Sequence, residues 1–268
     1  MMRTTSQISA SVRKVPLDIS SSPKNKPSIS VVIPFYSRSD HLREALTAWQ
    51  RCTYDGKLEI VVASYSTDSI IFNDKTTRNV FINTPNWNIA NAFNIGARAT
   101  TSEIIVFTTA DILPADNFLS DLNLHNFSWA AYINDVFLHN VPHNAEAGKL
   151  VVVKRWLHTR VNGFNELMME TPVGWGYEFE DYTTRLRLAA DDCGEVVKYY
   201  DSSRLSFLTH SDESRLEPYP THDITQSYTA HKKFSNSCIV TSGFELPGET
   251  GKGGLPRADE NAYTYEVR

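Results

Sequence analysis

The 268-residue chain has few cysteines and no long apolar run, and each shortage removes a class of protein. Its three cysteines, Cys52, Cys193 and Cys238, lie far apart and form no CxxC or Cys/His spacing. That pattern excludes a disulfide scaffold and a structural zinc site, and it favours a reducing compartment. No stretch approaches the roughly 18–20 consecutive apolar residues of a membrane-spanning helix. The longest apolar runs, residues 104–107 and 150–153, have the length of buried strands. Positive charge is also scarce: 26 Lys and Arg against 31 Asp and Glu leave a formal net charge of −5. Neutralising a nucleic-acid backbone requires a basic face, so only a local basic groove is compatible with this balance. The amino-terminal segment has no unbroken apolar core of the secretory kind. Instead Arg3, Arg13, Lys14, Lys24 and Lys26 against the single Asp18 make residues 1–27 a basic, Ser-rich arm, expected to be disordered. The chain reads as cytoplasmic, with that arm available to acidic lipid.

What remains is 41% apolar and 11% aromatic, enough to bury a core. Ile29-Ser30-Val31-Val32-Ile33-Pro34 reads as a buried strand that stops at its proline. Leu42, Ala45, Leu46 and Trp49 then fall on one face of a helix, which Ser39 or Asp40 is expected to cap. Strands follow at 58–63, 79–82 and 103–107, and a helix at 89–99 carries Ala90, Ala92, Gly96 and Ala97, small enough to sit close on a sheet. This alternation predicts right-handed crossovers and a mostly parallel α/β sheet. Ligands of such sheets bind beyond the carboxyl ends of the strands, at residues 34–37, 63–66 and 108–111 here. Later strands are expected at 129–136, 149–153, 195–200 and 204–208, with a helix at 181–190. Beyond about Cys238 the Gly- and Pro-rich segment reads as loop or flexible tail.

Several local features occur in order. They are Ser28 to Tyr36 before a helix, Ser66-Thr67-Asp68 after the second strand, Trp87-Asn88-x-Ala90-x-Ala92-x-Asn94-x-Gly96-Ala97, and Asp111 with Pro114. Together they resemble the nucleotide-binding half of glycosyltransferase family 2. Asn162-Gly163-Phe164-Asn165-Glu166 is similar to the GGFDE element of that superfamily. Gly174-Trp175-Gly176-Tyr177-Glu178-Phe179-Glu180-Asp181 resembles the acceptor-side motif shared by family 2 enzymes and β-1,4-galactosyltransferases. The resemblance spans roughly residues 28–215. It implies a GT-A (Rossmann-like) fold, with a mostly parallel central sheet flanked by helices and a single main domain with a less regular acceptor half. The divisions expected are a nucleotide-sugar half at 28–125, an acceptor and catalytic half at 126–215, and a carboxyl-terminal extension at 216–268.

The resemblance also implies roles. A nucleoside diphosphate sugar, a UDP sugar first among them, would be bound by Pro34, Tyr36, Ser64, Asp68, Asn94 and Asp111. A divalent cation, Mn2+ or Mg2+, held by Asp111 and His210, would neutralise the diphosphate. Asp181 would take the acceptor proton, with Glu180 or Glu178 binding acceptor hydroxyls. Trp175, Gly176 and Tyr177 would contact the acceptor, a glycan or glycoconjugate, from a mobile loop. The alternative register from the Trp-Gly pair puts Phe179 in the base position, where no proton could be taken. Arg155, Arg160, Arg185 and Arg187 stand as unranked partners for the diphosphate or for surface carboxylates. Two departures bear on this. The family's first Asp of the Asp-x-Asp element is Thr109, and its two uridine-contacting aspartates fall on Ala63 and Ser64. The resemblance therefore implies an inverting, metal-dependent glycosyltransferase. The alternative is a sugar-nucleotide-binding or scaffold protein of the same fold that has lost the chemistry.

Overall fold

The computed structural model describes residues 26–65, 76–83, 87–122, 129–132, 150–166, 178–194, 197–200, 204–208 and 265–267. The first strand, β1 (Ile29–Phe35), is buried along its whole length. It pairs in parallel with β2 (Leu58–Ser64), which pairs in parallel with β3 (Thr77–Ile82). On its other side β1 pairs in parallel with β4 (Ile104–Phe107). The order β3-β2-β1-β4 thus reverses direction beside β1, and that reversal is a topological switch point, where open α/β sheets bind ligands. Antiparallel β7 (Leu150–Lys154) continues the sheet from β4, followed by β6 (Trp129–Tyr132) and β8 (Val197–Tyr200). A second, two-stranded sheet joins β5 (Ile112–Pro114) to β9 (Leu205–Phe207).

Continuous apolar runs form these strands because both faces are covered. Side chains alternate between the faces, and two cores result. Ile29, Val31, Ile33, Ile60, Val62, Ile104 and Val106 pack on one side with α1 (Ser39–Arg51) through Leu42, Ala45, Leu46 and Trp49. Val32, Val61, Ala63, Ile105 and Phe107 pack on the other with α2 (Ile89–Arg98), α4 (Arg155–Arg160) and α5 (Glu178–Asp192). Helix α2 lies very close to the sheet. A Cβ on Gly96 would come within 2.4 Å of a Val32 methyl, so only glycine fits there. One short helix, α3 (Phe118–Asp121), adds Phe118 and Leu119 to the α1 side.

Three expectations are corrected. Strand β1 does not stop at Pro34 but runs to Phe35, because β4 pairs only as far as Val32 and the missing proline N–H costs no ladder bond. Ser39 and Asp40 lie inside α1; its cap position is Arg38, with no side-chain capping bond. The Gly-rich tail ends in order, as β10 (Tyr265–Val267) pairs antiparallel with β3 and covers that edge of the sheet. Among the described residues no helix is long and apolar enough to cross a membrane.

Candidate active site

The carboxyl ends of β1, β2 and β4 bring together the residues with the most chemistry to offer. Asp111 follows β4 and is mostly buried, with 17% of its side chain exposed. Across the switch point, Arg38 Nη1 donates to Asp111 Oδ1 at 3.1 Å. His41 Nδ1, one turn into α1, lies 3.2 Å from the same oxygen, an ion pair whenever the imidazole is protonated. Arg38 holds this place at φ 67°, ψ 57°, in the left-handed region. For a residue with a Cβ that conformation costs about 1 kcal/mol or more and persists only where surrounding structure enforces it. The chain's other non-glycine residue described there, Asn162 at φ 59°, precedes Gly163 at φ 69° in an Asn-Gly turn, where both residue types enter the region at low cost. Arginine has no such low-cost entry, so its surroundings hold Arg38 there.

An aromatic group borders the same strand ends. Tyr36, 40% exposed, meets Trp87 edge-on at 5.7 Å, and Trp87 meets Tyr65 at 5.1 Å. The Tyr65 hydroxyl donates to Asn91 Oδ1 at 2.7 Å, fixing its ring against α2. Ser64 closes β2 opposite Phe35 and is buried, as is Pro34. Phe35 belongs to the core beneath α1, which leaves Tyr36 as the ring of that pair that faces outward.

Asn94 has a different place from the one expected at the donor. Its Nδ2 donates to Phe164 O at 3.0 Å and to Glu166 Oε1 at 2.8 Å, and its Oδ1 accepts from Phe164 N at 2.9 Å. Both amide hydrogens are thus committed within the protein. Asn91 Nδ2 holds the other Glu166 oxygen at 2.9 Å, and Asn88 Nδ2 holds Glu166 O at 3.0 Å. Three asparagines of one helix therefore tie down the 162–166 segment, and Asn94 is a structural tie. The arginines sort similarly. Arg185, buried, donates to Val161 O and Gly163 O at 2.6 and 2.7 Å, while Arg155 donates to Ala97 O and Ser102 O at 3.0 and 2.5 Å. Both satisfy backbone carbonyls within the protein.

Glu178, Glu180 and Asp181 occupy the first turn of α5. Phe179 and Tyr182 face the core: Phe179 meets Phe93 and Phe164 edge-on, and Tyr182 stacks on Phe164. Asp68, Trp175, Gly176, Tyr177 and His210 lie outside the described residues.

The described donor set does not by itself fit a divalent cation. Thr109 offers a buried hydroxyl where a carboxylate is expected, and Asp111 Oδ1 already faces a guanidinium and an imidazole nitrogen. No cluster of three His, Cys, Asp or Glu side chains converges among the described residues. Sequence reasoning missed Arg38, His41 and Trp87. A signal was present for Arg38 alone: a basic residue directly after the polar exit of strand one.

His158 is fully buried against Phe107, with Nδ1 2.7 Å from the Tyr182 hydroxyl. Burial, and then the nearby arginines 155, 185 and 98, push its pKa down to about 3. In the unfolded chain the imidazole titrates near 6.5, so between these values the unfolded state binds a proton that the folded state refuses. Stability should therefore fall as pH drops below about 6.5, by roughly 1 kcal/mol per unit. Urea midpoints measured from pH 7 to pH 4 should show this slope, and His158→Gln should flatten it.

Comparison with known proteins places this arrangement. Residues 30–125 match the family model for glycosyl transferase family 2. A comparison with curated proteins finds no match. Among solved structures, the chain is similar to the mannosyltransferase PcManGT from Pyrobaculum calidifontis in complex with GDP-Man and Mn2+, at TM-score 0.51 and 22% identity, over 93% of this chain and 73% of that one. It is similar to S. aureus TarS in complex with UDP, at TM-score 0.53 and 15% identity, over 81% and 73% of the two chains. The catalytic domain of Drosophila β1,4-galactosyltransferase 7 in complex with xylobiose follows at TM-score 0.50 and 16% identity, over 75% and 78%. At these identities the likeness is one of fold.

Proposed function

We propose that the chain, whose residues 30–125 match the family model for glycosyl transferase family 2, is a glycosyltransferase that moves a hexosyl group from a nucleoside diphosphate sugar to an acceptor hydroxyl with inversion. The observation that carries this reading is the meeting of Arg38 with Asp111 across the switch point, two residues from the outward ring of Tyr36. A fixed positive charge suits a diphosphate, and aromatic faces suit a base. Tyr36 and Trp87 form the base platform in this reading, with Pro34, Ser64 and Asp68 around the nucleoside, and a UDP sugar is the first donor to test. The acceptor is a glycan or glycoconjugate, received by Trp175, Gly176 and Tyr177 and by Glu178 or Glu180.

The reaction is a single displacement. The acceptor oxygen bonds to the anomeric carbon as the bond from that carbon to the diphosphate oxygen breaks. The electron pair leaves with the diphosphate, and the acceptor proton passes to the carboxylate of Asp181. An ion at Asp111 would need further ligands, His210 first among them, and would then polarise the leaving phosphate. No step here depends on it.

The test is a panel of UDP, GDP and TDP sugars, first by thermal shift and then by release of nucleoside diphosphate with a broad acceptor panel. One donor should raise the melting temperature, since a ligand that binds only the folded state stabilises it by mass action. The same donor should yield diphosphate when an acceptor is added. Binding without release supports the scaffold reading, which Thr109 and the Ala63-Ser64 pair favour.

A further inference from the structure

The ion pair between Arg38 and Asp111 is more than a surface contact. The Arg38 side chain is 32% exposed, and only Nη1 is engaged, leaving Nε and Nη2 without a partner among the described residues. Those two nitrogens are the edge of a guanidinium that binds two phosphate oxygens side by side. Asp111, itself beside His41, holds the group from behind, and the left-handed backbone at residue 38 fixes where its side chain starts. Resting on the donor proposed above, we infer that Arg38 receives the donor's diphosphate, that Asp111 is its positioning residue, and that this pair replaces the divalent cation at the end of β4. The substitution at Thr109 is then explained. A second carboxylate at that position would compete for the guanidinium, whereas a hydroxyl leaves it paired to Asp111 and open towards the ligand.

The charge balance is direct. As the bond between the anomeric carbon and the β-phosphate oxygen breaks, that oxygen gains the electron pair. The guanidinium, charged throughout, strengthens its two hydrogen bonds to the leaving group without transferring a proton. Asp111 does not touch substrate; it aims the arginine.

Calorimetric titration of the full chain with UDP and GDP, and with the phosphate-free nucleosides uridine and guanosine, tests this in EDTA and in Mn2+. Diphosphate affinity of the wild type should change less than about threefold between the two conditions. R38Q should weaken the diphosphate by about 10- to 100-fold while leaving the nucleoside unchanged, R38K should fall between, and D111N should lose several-fold. R38G should show the same loss as R38Q with a melting temperature no lower than wild type, because glycine accepts the left-handed backbone. Diphosphate binding that vanishes in EDTA and ignores R38Q overturns the inference and gives the charge to an ion. Equal loss of nucleoside and diphosphate, with a lowered melting temperature in R38G, overturns it by making Arg38 a structural cap. No binding of any nucleotide to the wild type under either condition removes the donor reading first and this inference with it.

Discussion

Replacing Asp181 with Asn is expected to slow sugar transfer by about 100- to 10,000-fold while nucleotide affinity stays within a small factor of wild type. The acceptor hydroxyl is a weak acid, so attack at neutral pH requires a group that takes its proton in the transition state. An amide has the size and polarity of a carboxylate but no basicity, so the substitution removes that one property. Release of nucleoside diphosphate in the presence of acceptor measures the rate, and calorimetry measures the affinity. The position is argued from α5, where Phe179 and Tyr182 are spent on the core and the remaining acidic residues of the first turn are Glu178, Glu180 and Asp181. If Asp181→Asn turns over normally and Glu180→Gln does not, the base is Glu180 and the register shifts by one.

The second large effect is one of stability. Glu166→Ala should cost about 2–5 kcal/mol, because it removes the acceptor from two buried amide donors at once. Glu166 is 2% exposed, Asn91 and Asn94 donate to its two oxygens at 2.9 and 2.8 Å, and neither asparagine is open to water. An unsatisfied buried donor costs about 1–3 kcal/mol, and two are orphaned together. Arg98 Nη2, at 3.8 Å and 40% exposed, adds little. Glu166→Gln keeps one acceptor and should lose about half as much. Urea denaturation of the three proteins measures the series, and a loss below about 1 kcal/mol for Glu166→Ala would show that the segment closes over the gap.

Of the asparagines on α2, the resemblance assigns only Asn94 to the donor. In one dimension, Asn88, Asn91 and Asn94 form a polar stripe beside a strand end, which is what a binding helix looks like. Their partner, Glu166, lies 72 to 78 residues away in sequence, and only the fold brings them together. Sequence periodicity found β1, β2, β4, β7 and the three long helices α1, α2 and α5 because burial on two faces imposes an unbroken apolar run, and burial on one imposes a stripe. It put residues 108–111 at the end of a parallel strand, where β4 does end. It passed over Arg38, because the basic residue after strand one is visible in the sequence whereas its left-handed backbone and its pairing with Asp111 are not. Nor could it see β10: three residues in a Gly- and Pro-rich setting carry too short a pattern to count. Arg155 and Arg185 were indistinguishable from ligand arginines because the carbonyls they satisfy belong to turns whose geometry is set by packing.

The pairing of β10 with β3 has a consequence for biosynthesis. Strand β3 leaves the ribosome well before the segment that covers its outer edge, because residues 83–264 are made between the two. Until residues 265–267 arrive, that edge presents unpaired N–H and C=O groups to any other extended chain nearby. Closure across so long a sequence separation is entropically slow. Until then the β3 flank of the nascent sheet is open, and β10 acts as its seal against neighbouring chains on the same message.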